Sequence, residues 1–566
     1  MAARHECFRE SCRDSPAAAA NWRVFVAEDQ DAHESVKQTA RPASEEKRRW
    51  GDLLETALLI GIGKIPSDKG NVKSATVGQI LLGPVVAVLT FLMTNGSSSG
   101  EPSLHALFVG GGPDLEDNGA AIESHLRFAS QLLSTDANRL VHFTDGKPRS
   151  KTVSFTDSSK LSIGRRAMEV LLPNNDFGPE SESRAPDLGV KVNGPARRED
   201  LRRSIGKVAA SAKASPKPVL IYFAGHGSHN SRNEENNSFS LWNDEDLSVT
   251  HLAAEIARLP PEAPIALVMV QCYSGAFANL IFRHGDPSDG LIEHDLVGFF
   301  AASKDRMAAG CGSEIHEPDY QDFSSYFFGA LAGKNRLGQP LSGADYDGNG
   351  MVTMHEAFCF ALIHDGSSDT PTCTSDSFLR RYAPVQEPEL FATPFARIEA
   401  AATPAQRAVL EALSEQLELT GEQRLSAAKD RLEFHEPIAR SALIKRYYED
   451  RLQLNDLRQR ILATLFSRWP MLRWSSSPEY SEAADAAVAE MDAKPALCRE
   501  LLEANQRYER ADAAVENEQA FLLRFVAVCT HIIRRNYLQT NSDAPIKGRF
   551  NKLWEAEQRT LPLAAK

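Results

Sequence analysis

Cysteine is scarce in this chain, with eight in 566 residues, and no two stand in a Cys-x-x-Cys pair. That excludes a disulfide-stapled scaffold and leaves no zinc-ribbon pattern. Basic charge is also short: 63 Lys and Arg against 76 Asp and Glu leave a net charge of −13. A nucleic-acid partner needs a clustered basic surface, and pairs such as Arg197-Arg198 and Arg202-Arg203 are isolated, as on solvated helix faces. No internal repeat of solenoid period is visible. No apolar run reaches membrane-spanning length; the stretch 80–93 (ILLGPVVAVLTFLM) stops at 14 residues.

That stretch still has the length and basic flank of a signal-peptide apolar region, with Lys64, Lys69 and Lys73 before it. It begins 79 residues into the chain, which is late for a signal. Two expectations fit. It is an internal core or signal-anchor helix, or translation starts near Val72 and the protein is exported to the cell envelope. Without such a role for 80–93, the cytoplasm is the expected compartment.

At 566 residues the chain exceeds one ordinary core and implies two or three domains. Residues 1–75 are polar with no sustained period and read as a disordered extension, and 76–100 hold the apolar segment and a Ser/Gly spacer. From 101 to 385 strands and helices alternate. Strands are expected at 104–109, 139–143, 218–224, 265–270 and 296–302. Helices are expected at 120–133, 198–212, 247–259 and 323–331. Segment 145–195, rich in Ser, Pro, Asn and Gly, reads as a long loop or an insertion. This alternation predicts an α/β fold with a doubly wound, mostly parallel sheet. From 386 to 566 apolar residues recur at helical spacing, as in Leu454, Leu457, Ile461 and Leu465. That predicts an all-α C-terminal region, a surface for self-association or partner binding.

Two of the expected strands end in reactive residues. The run 218–224 leads into Gly225-His226-Gly227, and 265–270 leads into Gln271-Cys272-Tyr273-Ser274-Gly275. Ligands collect at the carboxyl ends of parallel strands. A cysteine attacks as thiolate, and a neighbouring imidazole can take its proton and return it to a leaving group. The flanking glycines permit a sharp turn and close approach of a substrate chain. The backbone N–H groups of Gly227 and Cys272 are candidate oxyanion donors. His229, three residues after His226, makes no metal pair, because it follows a glycine turn and lacks a third ligand.

The pattern of an apolar strand with His-Gly, then an apolar strand with Cys-x-Ser-Gly, resembles the caspase-like cysteine peptidases of the caspase/hemoglobinase fold. The Cys-x-Ser-Gly form is nearer the metacaspase and legumain style than the caspase one. The resemblance covers about residues 104–380. It implies a cysteine endopeptidase acting on protein or peptide substrates, with Cys272 as nucleophile and His226 as general base and acid. The alternative is a non-catalytic or latent module of that fold that works as a scaffold through its helices. The acidic residue that metacaspases carry two positions before the cysteine is Val270 here. Arg283 and Lys304 are candidates, by proximity in sequence alone, for a cation facing an acidic substrate side chain.

A second motif begins at Asp345. Asp345, Asp347, Asn349, Met351, Thr353 and Glu356 occupy the ligand positions of an EF-hand loop, with Gly350 at its turn. The expected cofactor is calcium, followed by an exiting helix at 357–363. Gly110-Gly111-Gly112 lacks the spacing of a phosphate-binding loop and reads as a plain strand-to-helix turn.

Overall fold

Strands that are apolar on both faces have to be covered on both faces, and the architecture follows from that. The computed structural model describes residues 103–563, apart from 174, 318–319 and 434–441. The expectations for 1–75 and 76–100, the apolar stretch 80–93 included, lie outside the described residues. Among the described residues, no helix is long and apolar enough to cross a membrane.

Six strands form the central sheet: β1 (His105–Gly111), β2 (Asn138–Phe143), β3 (Val219–Gly225), β4 (Ile265–Met269), β5 (Leu296–Phe300) and β6 (Thr372–Cys373). Their order is β6-β5-β4-β3-β1-β2. The first five pair in parallel, and β6 joins β5 antiparallel. β1, β3, β4 and β5 are buried along their whole lengths, the state expected of parallel strands between helical layers.

Among the described residues, seven α-helices lie between the first strand and residue 385, and all but the second pack on the sheet: α1 (Ala120–Gln131), α2 (Ile163–Leu171), α3 (Arg198–Ala214), α4 (Val249–Ile256), α5 (Phe323–Ala332), α6 (Met354–His364) and α7 (Thr374–Tyr382). Alternation along β3 separates the two cores. Leu220, Tyr222 and Ala224 face a core shared with α1, α5 and α6. Val219, Ile221 and Phe223 face one shared with α3, α4 and α7. The remaining described helices are α8 (Glu387–Phe391), α9 (Phe395–Ala401), α10 (Pro404–Gln416), α11 (Arg424–Glu433), α12 (Ala442–Arg468), α13 (Tyr480–Asp492), α14 (Pro495–Asn541) and α15 (Ala544–Glu557). The fold is therefore α/β with a mostly parallel sheet and a helical C-terminal region.

That region is built into the cores. Leu410 and Leu413 of α10 and Phe525 and Val528 of α14 fill the first, while Leu538 of α14 and Phe550 of α15 fill the second. The described residues thus belong to one compact unit.

Of the two readings of segment 145–195, the structure shows an insertion with its own elements rather than a bare loop. It holds a two-stranded antiparallel pair, Val153–Phe155 with Glu182–Arg184, and then α2. Ser162 caps α2 by accepting a hydrogen bond from the Arg165 N–H. Met168 and Leu171 are buried against Leu454, Leu457 and Ile461 of α12. The partners that order this segment lie almost three hundred residues downstream, so local composition conceals them. The helix expected at 247–259 is also shorter, because Glu245–Ser248 pairs as a strand with Ser238–Leu241 before Ser248 caps α4.

Candidate functional site

The sheet register brings the two reactive residues together. Phe223 of β3 pairs with Met269 of β4, and Val270 N–H donates to the Phe223 carbonyl at 3.0 Å. Three residues beyond that pair in each segment, just past the strand ends, come His226 and Cys272. Strand order reverses between β1 and β3, and ligands bind at such switch points in open α/β sheets.

Glycine is required on each side of the histidine by close backbone approach. A Cβ on Gly225 would lie 2.6 Å from the Gly111 carbonyl oxygen, and one on Gly227 would lie 2.1 Å from that of Cys272. The strand end then turns into a small antiparallel sheet in which Gly227 faces Phe239. The Ser240 N–H donates to the His226 carbonyl at 2.9 Å, so Gly227 occupies a non-bonded position of that ladder. Its N–H points away from the partner strand.

His226 Nε2 lies 2.7 Å from the Asp117 carbonyl oxygen in the loop after β1. A carbonyl only accepts, so Nε2 carries the proton and Nδ1 is the basic nitrogen of the neutral ring. Cys272 is buried, and its Sγ accepts from the Ala308 N–H at 3.3 Å while lying 3.7 Å from the Ala308 carbonyl. Tyr273, next in the chain, adopts φ +59°, a left-handed conformation unusual for an aromatic residue, and its N–H donates to the Arg306 carbonyl at 2.8 Å.

The loop that presents Ala308 is pinned on both sides. The Ala309 N–H donates to Asp369 Oδ1 at 2.6 Å, and His125 Nε2 lies 2.6 Å from the Gly310 carbonyl. The other Asp369 oxygen accepts from the Phe323 N–H at 3.0 Å. Burial, with the Asp365 charge beside it, pushes the Asp369 carboxyl well above the usual range, and the two backbone donors oppose that rise. The turn at 365–369 is held in its turn by Arg524 of α14, which is fully buried. Its guanidinium donates to the carbonyls of Leu362, Asp365, Ser367 and Asp369 and to Asp365 Oδ2, at 2.6–3.4 Å.

Of the specificity candidates, Lys304 is engaged by Glu235. Burial would raise the Glu235 carboxyl, but Lys304 and Asn279 hold it below its ordinary value. Arg283 donates to the Leu291 carbonyl at 3.4 Å. Asn237, fully buried, ties the neighbouring loops by donating to the Lys304 carbonyl at 2.7 Å and accepting from the Asn230 N–H at 2.8 Å. His229 packs its ring 5.1 Å from that of Tyr273 and sits 3.6 Å from Glu234.

In the loop at 345–356, Asp345, Asp347 and Glu356 bring carboxylate oxygens within 4.8 Å of one another. Asn349 Nδ2 donates to Asp347 Oδ2 at 2.9 Å, and the Met351 N–H donates to Asn349 Oδ1 at 2.8 Å. Thr353 and Glu356 form a reciprocal capping box at the start of α6, which covers the exiting helix expected at 357–363. Gly348 and Gly350 take φ +73° and +85° at the turn. The entry differs from a helix–loop–helix, because α5 ends at Ala332 and 340–344 are not helical. Among the described residues a second group of metal-binding side-chain types converges, Cys373, Asp376 and His531.

Backbone groups complete this site, and they carry no sequence signature: the Asp117 carbonyl, the Ala308 N–H, and behind them Asp369 and Arg524. No family model matches the chain, and no curated protein does. Among solved structures, protein GSU0716 from Geobacter sulfurreducens, a Northeast Structural Genomics target, matches over 48% of this chain and 92% of its own. Identity is 13% and the TM-score 0.26. A likeness of that size carries no functional weight, and what this chain does has to be read from its own residues.

Proposed function

We propose that this chain is a cysteine endopeptidase of the caspase-like class, with Cys272 as nucleophile and His226 as its base. The observation that carries the proposal is the placement of these residues just beyond the carboxyl ends of adjacent parallel strands, with His226 Nε2 tied to the Asp117 carbonyl. In the reaction, His226 Nδ1 takes the thiol proton and the sulfur attacks the peptide carbonyl carbon. The developing oxyanion meets the Gly227 and Cys272 N–H groups. The imidazolium then protonates the leaving amine as the C–N bond breaks, and water hydrolyses the thioester. The scaffold alternative has less support, because the apolar faces of α10 and of the C-terminal half of α14 are consumed inside the molecule.

Calcium in the 345–356 loop belongs to the same proposal. Asp345, Asp347 and Glu356 would supply carboxylates, Asn349 its side-chain oxygen, Met351 its carbonyl, and Thr353 the ninth position. The loop leads through α6 into the 365–369 turn that pins Ala309, so an ion there would stiffen the setting of the thiol.

The test is alkylation of the full chain with iodoacetamide and with a peptidyl ketone, with and without calcium. One thiol, Cys272, is expected to react fastest. Its rate should fall to that of an ordinary thiol in His226→Ala and lose its calcium dependence in Asp347→Ala. Equal labelling of several cysteines, or a rate indifferent to His226, would refute the dyad. No heat of calcium binding to the parent chain would remove the metal from it.

A further inference from the structure

Away from the dyad, β6, α6, α7, α10 and α14 line a small cavity of about 20 Å³, room for one water-sized occupant. Five side chains of its wall are metal-ligand types: His355 and Cys359 from α6, Cys373 from β6, Asp376 from α7 and His531 from α14. The ligand atoms of Cys373, Asp376 and His531 all lie within 4.8 Å of one another. Cys359 Sγ stands 3.8 Å from His355 Nδ1.

Two features separate this group from a chance gathering of buried polar residues. His531 is 6% exposed, and its Nδ1 lies 2.8 Å from Asp376 Oδ1, whereas its Nε2 is buried with no hydrogen-bond partner. An imidazole held by a carboxylate at one nitrogen and left bare at the other is the arrangement that orients histidine ligands of metals. The walls are also chemically selective, since thiols and imidazoles suit zinc-class cations and not calcium or magnesium. The Cys373 thiolate and the Asp376 carboxylate together would balance a divalent ion.

We propose that this cavity binds one thiophilic divalent cation of the zinc class through the Cys373 thiolate and His531 Nε2, with Asp376 orienting the imidazole from Nδ1 and Cys359 as the next thiol on its wall. The ion closes a clasp between the edge strand of the sheet and the long C-terminal helix. The ligands are spread over more than 150 residues, so the absence of a Cys-x-x-Cys pair says nothing about it.

Cobalt(II) is the probe, because thiolate ligation gives it an intense near-ultraviolet charge-transfer band. The metal-free full chain is expected to bind one cobalt with that band, unaffected by excess calcium and retained in Cys272→Ala and Asp347→Ala. Cys373→Ser and His531→Gln should lose it. Should either variant fail to fold, X-ray absorption of the zinc-loaded parent decides, with sulfur expected at about 2.3 Å and nitrogen or oxygen at about 2.0 Å. An oxygen-only shell, no band in the parent, or a band lost in Cys272→Ala would overturn the proposal. In the first two cases the cavity holds water, and in the last the metal sits on the dyad thiol.

Discussion

A single missing methyl group sets the geometry of the dyad. A Cβ on Gly227 would fall 2.1 Å from the Cys272 carbonyl oxygen, a backbone atom that cannot swing aside. Gly227→Ala therefore has to push β3 and β4 apart at their reactive ends. The expected cost is roughly 1–3 kcal/mol of stability, read as a lower Tm. Cys272 alkylation should slow by at least about tenfold, since small displacements of reacting groups are expensive. An alanine variant that alkylates at the parent rate would show that the spacing of the two strand ends is unimportant. At this scale the sequence made legible the strand-end side chains that the proposal uses, His226 and Cys272, through the glycines and apolar runs beside them. It was silent about the Asp117 carbonyl and the Ala308 N–H, because any residue supplies those groups.

Elements are joined by buried polar groups that local pattern cannot foresee. Arg524 lies within an amphipathic helix, where an arginine normally faces water, yet it is fully buried and spends its donors on the 362–369 segment. Removing the guanidinium leaves four carbonyls and the Asp365 carboxylate without it. Arg524→Met should cost roughly 3–5 kcal/mol and slow Cys272 alkylation as Asp369 loosens its hold on Ala309. Arg524→Lys should recover part of both, whereas an unchanged alkylation rate in a destabilised Met variant would confine Arg524 to stability. A second junction ties α15 to α7, where Glu557 accepts from the Thr374 hydroxyl at 2.9 Å, the Ser375 N–H at 2.8 Å and the Ser375 hydroxyl at 2.7 Å. Burial outweighs these donors and raises the Glu557 carboxyl from 4.5 to about 7. The fold then favours the protonated form. That contribution is complete below about pH 4.5 and is lost as pH rises through about 7. Its full size is on the order of 3 kcal/mol. Unfolding followed from pH 4 to 8 should show Glu557→Gln flattening the decline seen in the parent; parallel curves would discard the assignment.

For the whole molecule, the change of pattern near residue 386 marks a change of architecture but not a boundary between independent units. Periodicity reports that Leu410, Leu413 and Phe525 share helix faces; it does not report what those faces meet. They meet the sheet. Val409, Leu410, Leu413, Phe525, Val528 and Ile532 are all buried in the core that also holds Leu220, Tyr222 and Val268. At about 1.5 kcal/mol each, the low end for a buried side chain of this size, these six alone contribute roughly as much as the ~5–15 kcal/mol by which a protein is stable at all. A fragment of residues 101–385 would carry the dyad and every strand, but it would expose both cores and lose Arg524 beneath the cysteine loop. It should therefore fail to fold cooperatively: no sigmoidal urea transition, dye binding typical of exposed apolar surface, and Cys272 alkylated no faster than a free thiol. A fragment that unfolds in one sharp transition and keeps the fast thiol would mean that the helical region is a dispensable attachment rather than half of the core.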